Sequence, residues 1–415
     1  MARPQRRPGG ARARAELLGR AARVVVPARA DVVVAGGGAS GLAAAIAAAR
    51  AGASVVVLER APECGRTILA TGAGRCNLMN ASLVATDGAG PDWSRYNEPG
   101  LVRATCGDGF GADVLAFLAD CGLAVVQEDR GRMYPVSRQA SSVRNVLLAR
   151  ARALGVTLAC AREVRSARGA AGSWDVRFDG LFDGGGEGRV RCGALVVACG
   201  GASGLARSAG VDCAPDEPVL CSLTCDAPAG VDLGLLDGRR AHVEARLLRG
   251  GAEVARDHGE VVFRPYGISG IVTFDLSRLA EPGDVIALDL VPGTTPERAR
   301  ELERAAGGCD GLLDPLVARG LAADGGDALG RALDLRLVVR SKAETERAQV
   351  TRGGVRARAL DPATLAVRGK AGMHACGEAV DVDGACGGFN LAWAWKSGLV
   401  AGAAAARETR GGRDA

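Results

Sequence analysis

One short stretch near the N-terminus constrains the fold more than any other part of this sequence. An apolar run at 32–34 is typical of a buried parallel strand, and a glycine turn at 36–41 follows it directly. An alanine-rich helix at 42–51 and a second apolar strand at 54–58 come next, and Glu59 closes that strand. A strand, glycine turn, helix, strand and acid in this order predict a dinucleotide-binding βαβ unit.

The three glycines of the turn have separate predicted roles. The first makes the tight turn, the second lets the backbone approach a pyrophosphate, and the third lets the helix pack on the strand. Free N–H groups at the helix N-terminus favour the phosphates. A carboxylate at the end of the second strand accepts hydrogen bonds from an unphosphorylated ribose, which favours FAD or NAD over NADP. The predicted residues here are Gly36, Gly38, Ala39, Ser40, Gly41, Glu59 and Arg60.

Two further glycine-rich segments favour FAD over NAD. Residues 65–77 are dense in glycine, hydroxyl and arginine side chains, which a cofactor with a ribityl chain and a tricyclic ring needs and NAD does not. Near the C-terminus, 377–378 and 381–384 follow a strand, and 387–390 open a helix. A helix N-terminus directed at the flavin pyrimidine ring would stabilise the negative charge of the reduced ring. The alternative is that these segments are only loop and cap glycines.

These motifs resemble the BaiN-like family of FAD-dependent oxidoreductases, bacterial flavoproteins with a glutathione-reductase-type FAD fold. The resemblance is carried by residues 31–80, and above all by the Gly-Arg-Cys-Asn run at 74–77. Other matching segments are 131–137, 266–270, 348–351 and 377–398. The resemblance therefore covers nearly the whole chain after the first thirty residues.

The resemblance implies where the rest of the cofactor lies. The residues expected along the flavin are Thr71, Gly72, Arg75, Cys76 and Asn77. Glu378 is expected at the ribityl chain, and Gly200 and Gly377 are also expected to bind the cofactor. The pyrimidine end of the flavin is expected to meet Gly388, Phe389 and Asn390. The sequence departs from the family pattern at Cys199, at Arg264-Pro265 and at Ile271. The last two departures bear on the substrate pocket.

The predicted fold class is α/β, with a Rossmann-like FAD-binding domain built from both ends of the chain and an insertion between them. The insertion is a β-rich substrate domain with a small helical subdomain. The expected segments are a basic disordered arm at 1–29, the FAD domain at 30–212 and 351–415, the β-rich domain at 213–294 with its return strand at 334–350, and a helical insertion at 295–333.

Composition narrows the possible partners. Aromatic residues make up 3% of the chain and the net charge of +5 is concentrated in the arm, so we expect no nucleic-acid partner. No run of about 18 apolar residues occurs, so we expect no membrane span and a cytoplasmic protein. The 13 cysteines include no C-x-x-C pair, so neither a metal site nor a disulfide relay is predicted. Cys64 is near enough in sequence to Cys76 to approach it in space.

The expected activity is hydride transfer through the flavin, with NAD(P)H-driven reduction of an activated C=C bond in an alicyclic enone as the specific hypothesis. A second complete nucleotide turn is missing from the sequence, so NAD(P)H would have to enter the substrate cleft. Tyr134 or Tyr266 is the hypothesised proton donor, with Arg138 or Arg264 holding the developing oxyanion. The alternatives are a flavin oxidase of a small amine or hydroxy compound and a flavin-containing nucleic-acid-binding protein. The oligomeric state and the choice between NADH and NADPH stay open.

Overall fold

The computed structural model describes residues 10–86, 89–170, 172–201 and 204–411. The helices are α1 Gly10–Ala22, α2 Ala39–Arg50, α3 Arg66–Ala70, α4 Pro99–Cys106, α5 Phe110–Asp120, α6 Ala140–Ala153, α7 Gly204–Ser208, α8 Ile271–Ser277, α9 Pro296–Ala306, α10 Pro315–Leu321, α11 Ala328–Leu333 and α12 Phe389–Gly411. The strands are β1 Arg29–Ala35, β2 Val55–Glu59, β3 Met79–Asn80, β4 Val125–Gln127, β5 Arg132–Pro135, β6 Thr157–Cys160, β7 Arg162–Ala170, β8 Ser173–Gly180, β9 Glu187–Val197, β10 Cys213–Val219, β11 Ser222–Asp226, β12 Arg240–Arg249, β13 Ala252–Arg264, β14 Gly267–Ser269, β15 Val285–Asp289, β16 Leu335–Ala343, β17 Val350–Val355 and β18 Met373–Ala375.

The chain forms two compact units. The first combines residues 1–217 with 351–415, and the second comprises 218–350. The strands β10 and β17, where the chain leaves and re-enters the first unit, pair with each other. The predicted α/β class, with a discontinuous Rossmann-like domain and an inserted β-rich part, is confirmed. The expected first boundary, after residue 212, lies five residues before the observed one, because most of β10 belongs to the first unit.

The first unit is built on a mostly parallel sheet. The strands β6, β2, β1, β9 and β18 lie side by side in this order and run parallel, and β8 and β7 extend the sheet beyond the N-terminal half of β9 as antiparallel neighbours. Val32, Val33 and Val34 are fully buried, as expected of a parallel strand covered on both faces. The predicted strand, turn, helix and strand over 31–59 is confirmed as β1, α2 and β2. The parallel arrangement sets the C-terminal ends of β1, β2, β9 and β18 at one edge, where ligands of such sheets bind.

The second unit is a closed barrel. Its strands follow the order β11, β14, β13, β12, β15 and β16, with β16 pairing back onto β11. Inward side chains such as Leu247, Phe263 and Leu337 are fully buried in its core. The predicted helical piece is present as α9, α10 and α11. Its apolar side chains, including Leu321 and Leu329, belong to the same core as the barrel residues, so the helices cover the barrel and have no separate core of their own.

The basic arm is more ordered than expected. Residues 1–9 lie outside the described residues, but Gly10–Ala22 form α1, so the expectation of a disordered arm is wrong for this part. Alanine, leucine and arginine are good helix formers, and Glu16 pairs with Arg20 one turn later. Beyond the helix, Val24 and Val26 pack against the core of the first unit. The end of the arm is therefore part of the folded body.

Arg162 ties the arm to the body. Its guanidinium donates to the carbonyl oxygens of Ala21 at 3.5 Å, Val24 at 3.2 Å and Cys160 at 2.9 Å. The same group lies over the Phe182 ring, 4.3 Å from its centroid. Arg162 is 6% exposed, so these contacts replace the water that the charged group has lost.

We predict that Arg162→Ala lowers the free energy of unfolding by about 1–3 kcal/mol, because it leaves buried carbonyl oxygens without a donor. The matched control is Arg165→Ala, which removes an exposed guanidinium paired with Asp179 and should cost less than about 1 kcal/mol. Urea unfolding measures both. In a chain lacking residues 1–26, Arg162→Ala should cost clearly less than in the full chain. Equal costs in the two backgrounds would show that Arg162 does not hold the arm.

A buried histidine–carboxylate pair fastens β18 to the end of α12. His374 is 1% exposed, its Nδ1 lies 3.0 Å from the Thr364 carbonyl oxygen, and its Nε2 lies 3.0 Å from Glu408 Oε2. Because the Thr364 oxygen can only accept, Nδ1 carries a proton. The contact with His374 lowers the pKa of Glu408. Glu408, the partner of His374 on β18, is therefore charged at neutral pH.

This pair predicts an acid-sensitive contribution to stability. Because the folded pKa of Glu408 is lowered, its contribution is complete above the unfolded value of about 4.3 and is lost as pH falls through the folded value. The difference in unfolding free energy between wild type and Glu408→Gln should shrink as pH falls below about 4, where the Glu408 carboxylate takes up a proton. Urea unfolding across this range measures it. A difference that stays the same at low pH would contradict the assignment.

Candidate functional site

Two glycines of the first turn are required by the packing of the protein itself. Gly36 has φ +106°, and a Cβ added to it would lie 2.3 Å from the Ala198 carbonyl oxygen. A Cβ on Gly41 would lie 2.0 Å from the Gly36 carbonyl oxygen. Neither position accepts a side chain without moving backbone. These two glycines therefore bring α2 tightly against β1 and β9, whatever is bound.

Gly38 has no such internal reason to be glycine. Its φ of −77° is available to any residue, and an added Cβ would meet only Thr67 Oγ1 within 4 Å, at 3.4 Å. Gly38 is also the N-cap of α2, where no side chain caps the helix. The first amides of α2, at Ala39, Ser40 and Gly41, thus keep their donors for a ligand. An uncapped helix N-terminus with open space at Gly38 fits the pyrophosphate of a dinucleotide.

The acid that follows β2 is held in one orientation. Glu59 Oε2 accepts from the Gly37 amide at 2.6 Å, and Oε1 accepts from the Ala61 amide at 2.7 Å. Each carboxylate oxygen has two lone pairs, so both keep capacity for a further donor such as a ribose hydroxyl. Arg60, which was predicted beside it, is exposed. Cys199, the departure from the family pattern, donates to the Ala35 carbonyl oxygen at 3.2 Å, beside the turn.

Several residues of the predicted flavin loop have a left-handed backbone conformation. Gly72, Ala73 and Cys76 have φ values of 54°, 53° and 61°, of which two are carried by non-glycine residues. Such backbone is uncommon and marks sites where the surroundings fix the chain. Thr71 Oγ1 donates to the Ile68 carbonyl oxygen at 2.7 Å, and the Cys76 amide donates to the Thr71 carbonyl oxygen at 3.2 Å. Local hydrogen bonds therefore support this conformation of the loop.

Cys76 is a protonated thiol at neutral pH. It is fully buried, and burial raises its pKa to about 11. A thiol of this kind is a poor nucleophile. Cys64, which is near enough in sequence to approach it, lies instead 3.5 Å from Cys160, sulfur to sulfur. Both observations favour a packing or cofactor-tuning thiol at Cys76 over a redox partner.

The next residue, Asn77, joins the loop to β5. Its Oδ1 accepts from the Met133 amide at 3.2 Å.

Tyr134 lies under one member of a cluster of three charged side chains. Arg75 lies over the Tyr134 ring, 4.2 Å from the centroid, and donates to both oxygens of Glu128 at 2.7 and 2.6 Å. Arg138 donates to the same carboxylate at 2.7 Å, and it has a left-handed φ of 51°. The two guanidiniums lower the pKa of Glu128, with Arg75 the larger cause. Sequence reasoning missed Glu128, which no motif marks.

The C-terminal glycine segment contacts the N-terminus of α2. Gly377 has φ +62°, and a Cβ added to it would lie 2.3 Å from Ser40 Oγ. Its amide donates to Ser397 Oγ at 2.9 Å, and its carbonyl oxygen accepts from Trp393 Nε1 at 3.1 Å. Two predicted cofactor segments, 36–41 and 377–378, are thus brought together. Ser397 and Trp393, which hold them there, were not among the predicted residues.

Glu378 lies in an environment that favours its neutral form. Burial raises its pKa to about 7, and a hydrogen bond from the Gly201 amide opposes this only in part. The predicted Gly200 is next to it, because a Cβ on Gly200 would lie 3.8 Å from Glu378 Oε2. A carboxyl group with this pKa can donate as well as accept near neutral pH. That suits a position beside the hydroxyls of a ribityl chain.

At the predicted pyrimidine end, the side chains of Phe389 and Asn390 already make contacts within the protein. Gly388, with φ +104°, lies against the Met79 backbone, where a Cβ would come within 2.5 Å. Phe389 is buried and meets the Tyr96 ring edge to face. Asn390 Oδ1 accepts from the Gly384 amide at 2.8 Å, and its Nδ2 donates to the Gly384 carbonyl oxygen at 2.7 Å. A ligand here would therefore meet the backbone amides that begin α12.

Two aspartates in the preceding turn are structural. Asp383 is fully buried, and Arg352 donates to both of its oxygens at 2.6 and 3.1 Å. The Asp383 amide donates to Asn97 Oδ1 at 2.8 Å, and Asp381 Oδ1 accepts from the Gly353 amide at 3.1 Å. A buried charge that is paired and hydrogen-bonded in this way fixes the turn that leads into α12.

Among the described residues, no group of histidine, cysteine or acidic side chains could hold a metal ion.

The barrel unit carries the other pair of predicted catalytic residues. The Tyr266 hydroxyl is buried and has no well-aligned hydrogen-bond partner among the described residues. Arg264 approaches it, and this contact is the largest cause that raises the pKa of Arg264. Close by in sequence, Ser269 Oγ accepts from Ser222 Oγ at 2.8 Å, and Ser222 also reaches Glu344 Oε2 at 3.2 Å. Sequence reasoning missed Ser222 and Glu344.

Comparison with known proteins agrees with this geometry. A profile described as "HI0933-like protein Rossmann domain" matches residues 30–404. The chain belongs to this family. It is 31% identical to a 3-dehydro-bile acid delta(4,6)-reductase of Clostridium scindens, over 90% of this chain and 98% of that protein. It is 25% identical to a ribosomal RNA dihydrouridine synthase of Escherichia coli, over 89% of this chain and 96% of that protein.

Solved structures support the fold. The quinol fumarate reductase subunit FrdA of E. coli, solved as a point mutant, superposes with a TM-score of 0.50 at 18% identity, over 92% of this chain and 70% of that one. The expected resemblance to BaiN-like enzymes is confirmed, and this member of the family is an FAD-dependent oxidoreductase. No helix within the described ranges is long and apolar enough to span a membrane.

The contrast between Gly38 and Gly41 yields a prediction. Gly38→Val should fold as the apo-protein with an almost unchanged urea midpoint, but should lose bound flavin, because its side chain would occupy the space beside the α2 N-terminus. Gly41→Ala should instead be strongly destabilised, since its Cβ would lie 2.0 Å from the Gly36 oxygen. Flavin absorbance after gel filtration and urea unfolding separate the two effects. Full flavin content in Gly38→Val would contradict the site.

Proposed function

We propose that this protein binds FAD in the first unit and uses NAD(P)H to reduce an activated C=C bond in a small alicyclic enone. The observation that carries the proposal is the 31% identity to a bile-acid reductase over 98% of that protein. The name of that relative describes a ketone at carbon 3 conjugated with double bonds at carbons 4 and 6. Polarisation by the carbonyl makes the far carbon of such a system a hydride acceptor.

The residues that would hold FAD are those whose geometry fits its parts. The pyrophosphate would meet Gly38 and the first amides of α2, and the ribose would meet Glu59. The ribityl chain would pass Glu378, and the ring system would lie near the 71–77 loop and the N-terminus of α12. Bound FAD supplies a two-electron carrier that accepts hydride from NAD(P)H and passes it to carbon. The protein's own contribution is to orient both partners and to manage charge and proton.

Enone reduction also needs a proton at the α carbon and stabilisation of charge on the carbonyl oxygen. We assign proton donation to Tyr266 in preference to Tyr134. A buried hydroxyl without a well-aligned partner costs free energy unless a ligand supplies one, and the Tyr266 hydroxyl is in this situation. Arg264 carries the charge beside it. Tyr134, with Arg75 and Arg138 nearby, is the alternative donor.

Single-turnover kinetics test this assignment. Tyr266→Phe should leave flavin reduction by NAD(P)H unchanged and slow reoxidation by an enone about 10²-fold or more, because it removes a general acid. Tyr134→Phe serves as the matched variant and should reoxidise near the wild-type rate. If only Tyr134→Phe slows reoxidation, the roles are exchanged. If neither does, both tyrosines are excluded as donors.

A second candidate substrate is a uracil base in RNA. It is favoured by the 25% identity to a ribosomal RNA dihydrouridine synthase over nearly the full length of both proteins. Uracil presents a C5=C6 bond conjugated with the C4 carbonyl, which asks for the same hydride and proton chemistry as an enone. The exposed arginines of α1, including Arg12 and Arg14, would suit a phosphate backbone. This candidate reverses the expectation of no nucleic-acid partner.

One anaerobic experiment separates the candidates. The purified protein, reduced with NADH or NADPH, is mixed with a steroid-type enone, with unmodified ribosomal RNA, or with oxygen. Reoxidation by the enone with formation of the saturated ketone supports the proposal. Formation of dihydrouridine in the RNA, with no reaction on the enone, would replace it with the second candidate. Rapid reoxidation by oxygen alone, together with reduction by amines or hydroxy compounds, would make the protein an oxidase.

A further inference from the structure

Two cysteines far apart in sequence meet at the adenosine end of the nucleotide site. The sulfur atoms of Cys64 and Cys160 are 3.5 Å apart, across 96 residues of chain. Cys160 ends β6 and stands opposite Glu59 in the register of β2 with β6. Cys64 lies in the segment that follows β2, and a Cβ added to Gly37 would lie 2.5 Å from its sulfur. The pair therefore sits between the glycine turn and the edge strand of the sheet.

The two thiols are not equivalent. Cys64 is 2% exposed, whereas Cys160 is half-buried. The hydrogen bond with Cys64 lowers the pKa of Cys160, and the same contact raises that of Cys64. Cys160, the less buried member, is thus the better nucleophile, and Cys64 is its protonated neighbour. An accessible, activated thiol next to a resolving cysteine is the arrangement found in redox-sensing sites.

We infer that Cys64 and Cys160 form an oxidation site that closes reversibly to a disulfide in the folded protein. The oxidant is a peroxide. The Cys160 thiolate attacks one peroxide oxygen, the O–O bond breaks, and a sulfenic acid and one water form. The Cys64 sulfur then attacks Cys160, displaces the hydroxyl group as a second water, and leaves a disulfide. Two thiols and one hydrogen peroxide thus give one disulfide and two waters, and a dithiol reductant reverses the change.

The movement required is small. A disulfide needs a sulfur–sulfur distance of about 2.05 Å, so the two atoms must approach by about 1.5 Å, which side-chain rotation can supply. The backbone on either side is already tied together. The Ala161 amide donates to the Ala61 carbonyl oxygen at 2.8 Å, and the Gly65 amide donates to the Gly37 carbonyl oxygen at 2.7 Å.

Closure of the disulfide should affect cofactor retention. The Cys64 sulfur covers Gly37, whose amide holds Glu59 Oε2 at 2.6 Å. A shift of this sulfur toward Cys160 changes the packing on the turn that carries the ribose acid and the α2 N-terminus. We expect FAD to dissociate about threefold or more faster from the oxidised form, since weakened contacts act mainly on the off-rate. This inference rests on the proposed FAD site but does not depend on which substrate is reduced.

The test uses the full-length holoenzyme. It is treated briefly with hydrogen peroxide, alkylated under denaturing conditions, digested and analysed by mass spectrometry. We expect a peptide pair that joins Cys64 to Cys160, lighter by about 2 Da than the two thiol peptides together and lost after reduction with dithiothreitol. FAD release is followed by ultrafiltration of the same samples. Cys160→Ser should abolish both the crosslink and the accelerated release.

The matched control is Cys121→Ser, which removes another half-buried thiol at the end of α5. It should retain the crosslink and the change in FAD release. Cys160→Ala provides a second variant in case serine disturbs folding. Thiols at 64 and 160 that stay free, or are overoxidised without crosslinking, would overturn the oxidation site. A crosslink that forms with an unchanged rate of FAD release would overturn its link to the cofactor.

Discussion

The close packing of α2 on α12 is the contact on which the rest of the first unit depends. Gly398 and Gly402, one helical turn apart, lie directly on the backbone of α2, where added Cβ atoms would come within 2.4 Å of the Ser40 oxygen and 2.1 Å of the Ala44 oxygen. Alanines fill most of the facing α2 surface and are buried. Since the two helix backbones are in direct contact here, the βαβ segment at 29–59 and the glycine segment that precedes α12 are held at a fixed position relative to each other.

That contact lets α12 organise the loops around the site. Its Trp393 and Ser397 side chains bind both the carbonyl and the amide of Gly377, while Trp395 Nε1 donates to the Leu78 carbonyl oxygen at 3.1 Å, just after the 71–77 loop. The indole groups bring large apolar area and a single donor each, which a buried carbonyl oxygen needs. One helix thus holds segments that are about 300 residues apart in sequence.

What the sequence could predict follows from how far each feature reaches. The βαβ unit, Glu59 at its end and the start of α12 at Phe389 were predictable because turn glycines and apolar periodicity act over a few residues. Other contacts depend on which strands become neighbours, and no local pattern marks them. These are the Arg75–Glu128 ion pair, the Cys64–Cys160 pair and the hydrogen bonds from Arg162 to the arm. The arm was misjudged because its dense charge drew attention away from a helix, α1, and from Val24 and Val26 beyond it, which pack on the core.

The charges around Tyr134 have a consequence for chemistry in the first unit. Two guanidiniums, of Arg75 and Arg138, share the single carboxylate of Glu128, so the cluster keeps one net positive charge. Arg75 lies over the Tyr134 ring, and the bond to Glu128 positions the second cation, Arg138. A fixed cation stabilises developing negative charge without reorganising at the moment of reaction. A carbonyl placed beside this cluster would therefore be polarised whichever group supplied the proton, which separates the electrostatic role of Tyr134's surroundings from the role of its hydroxyl.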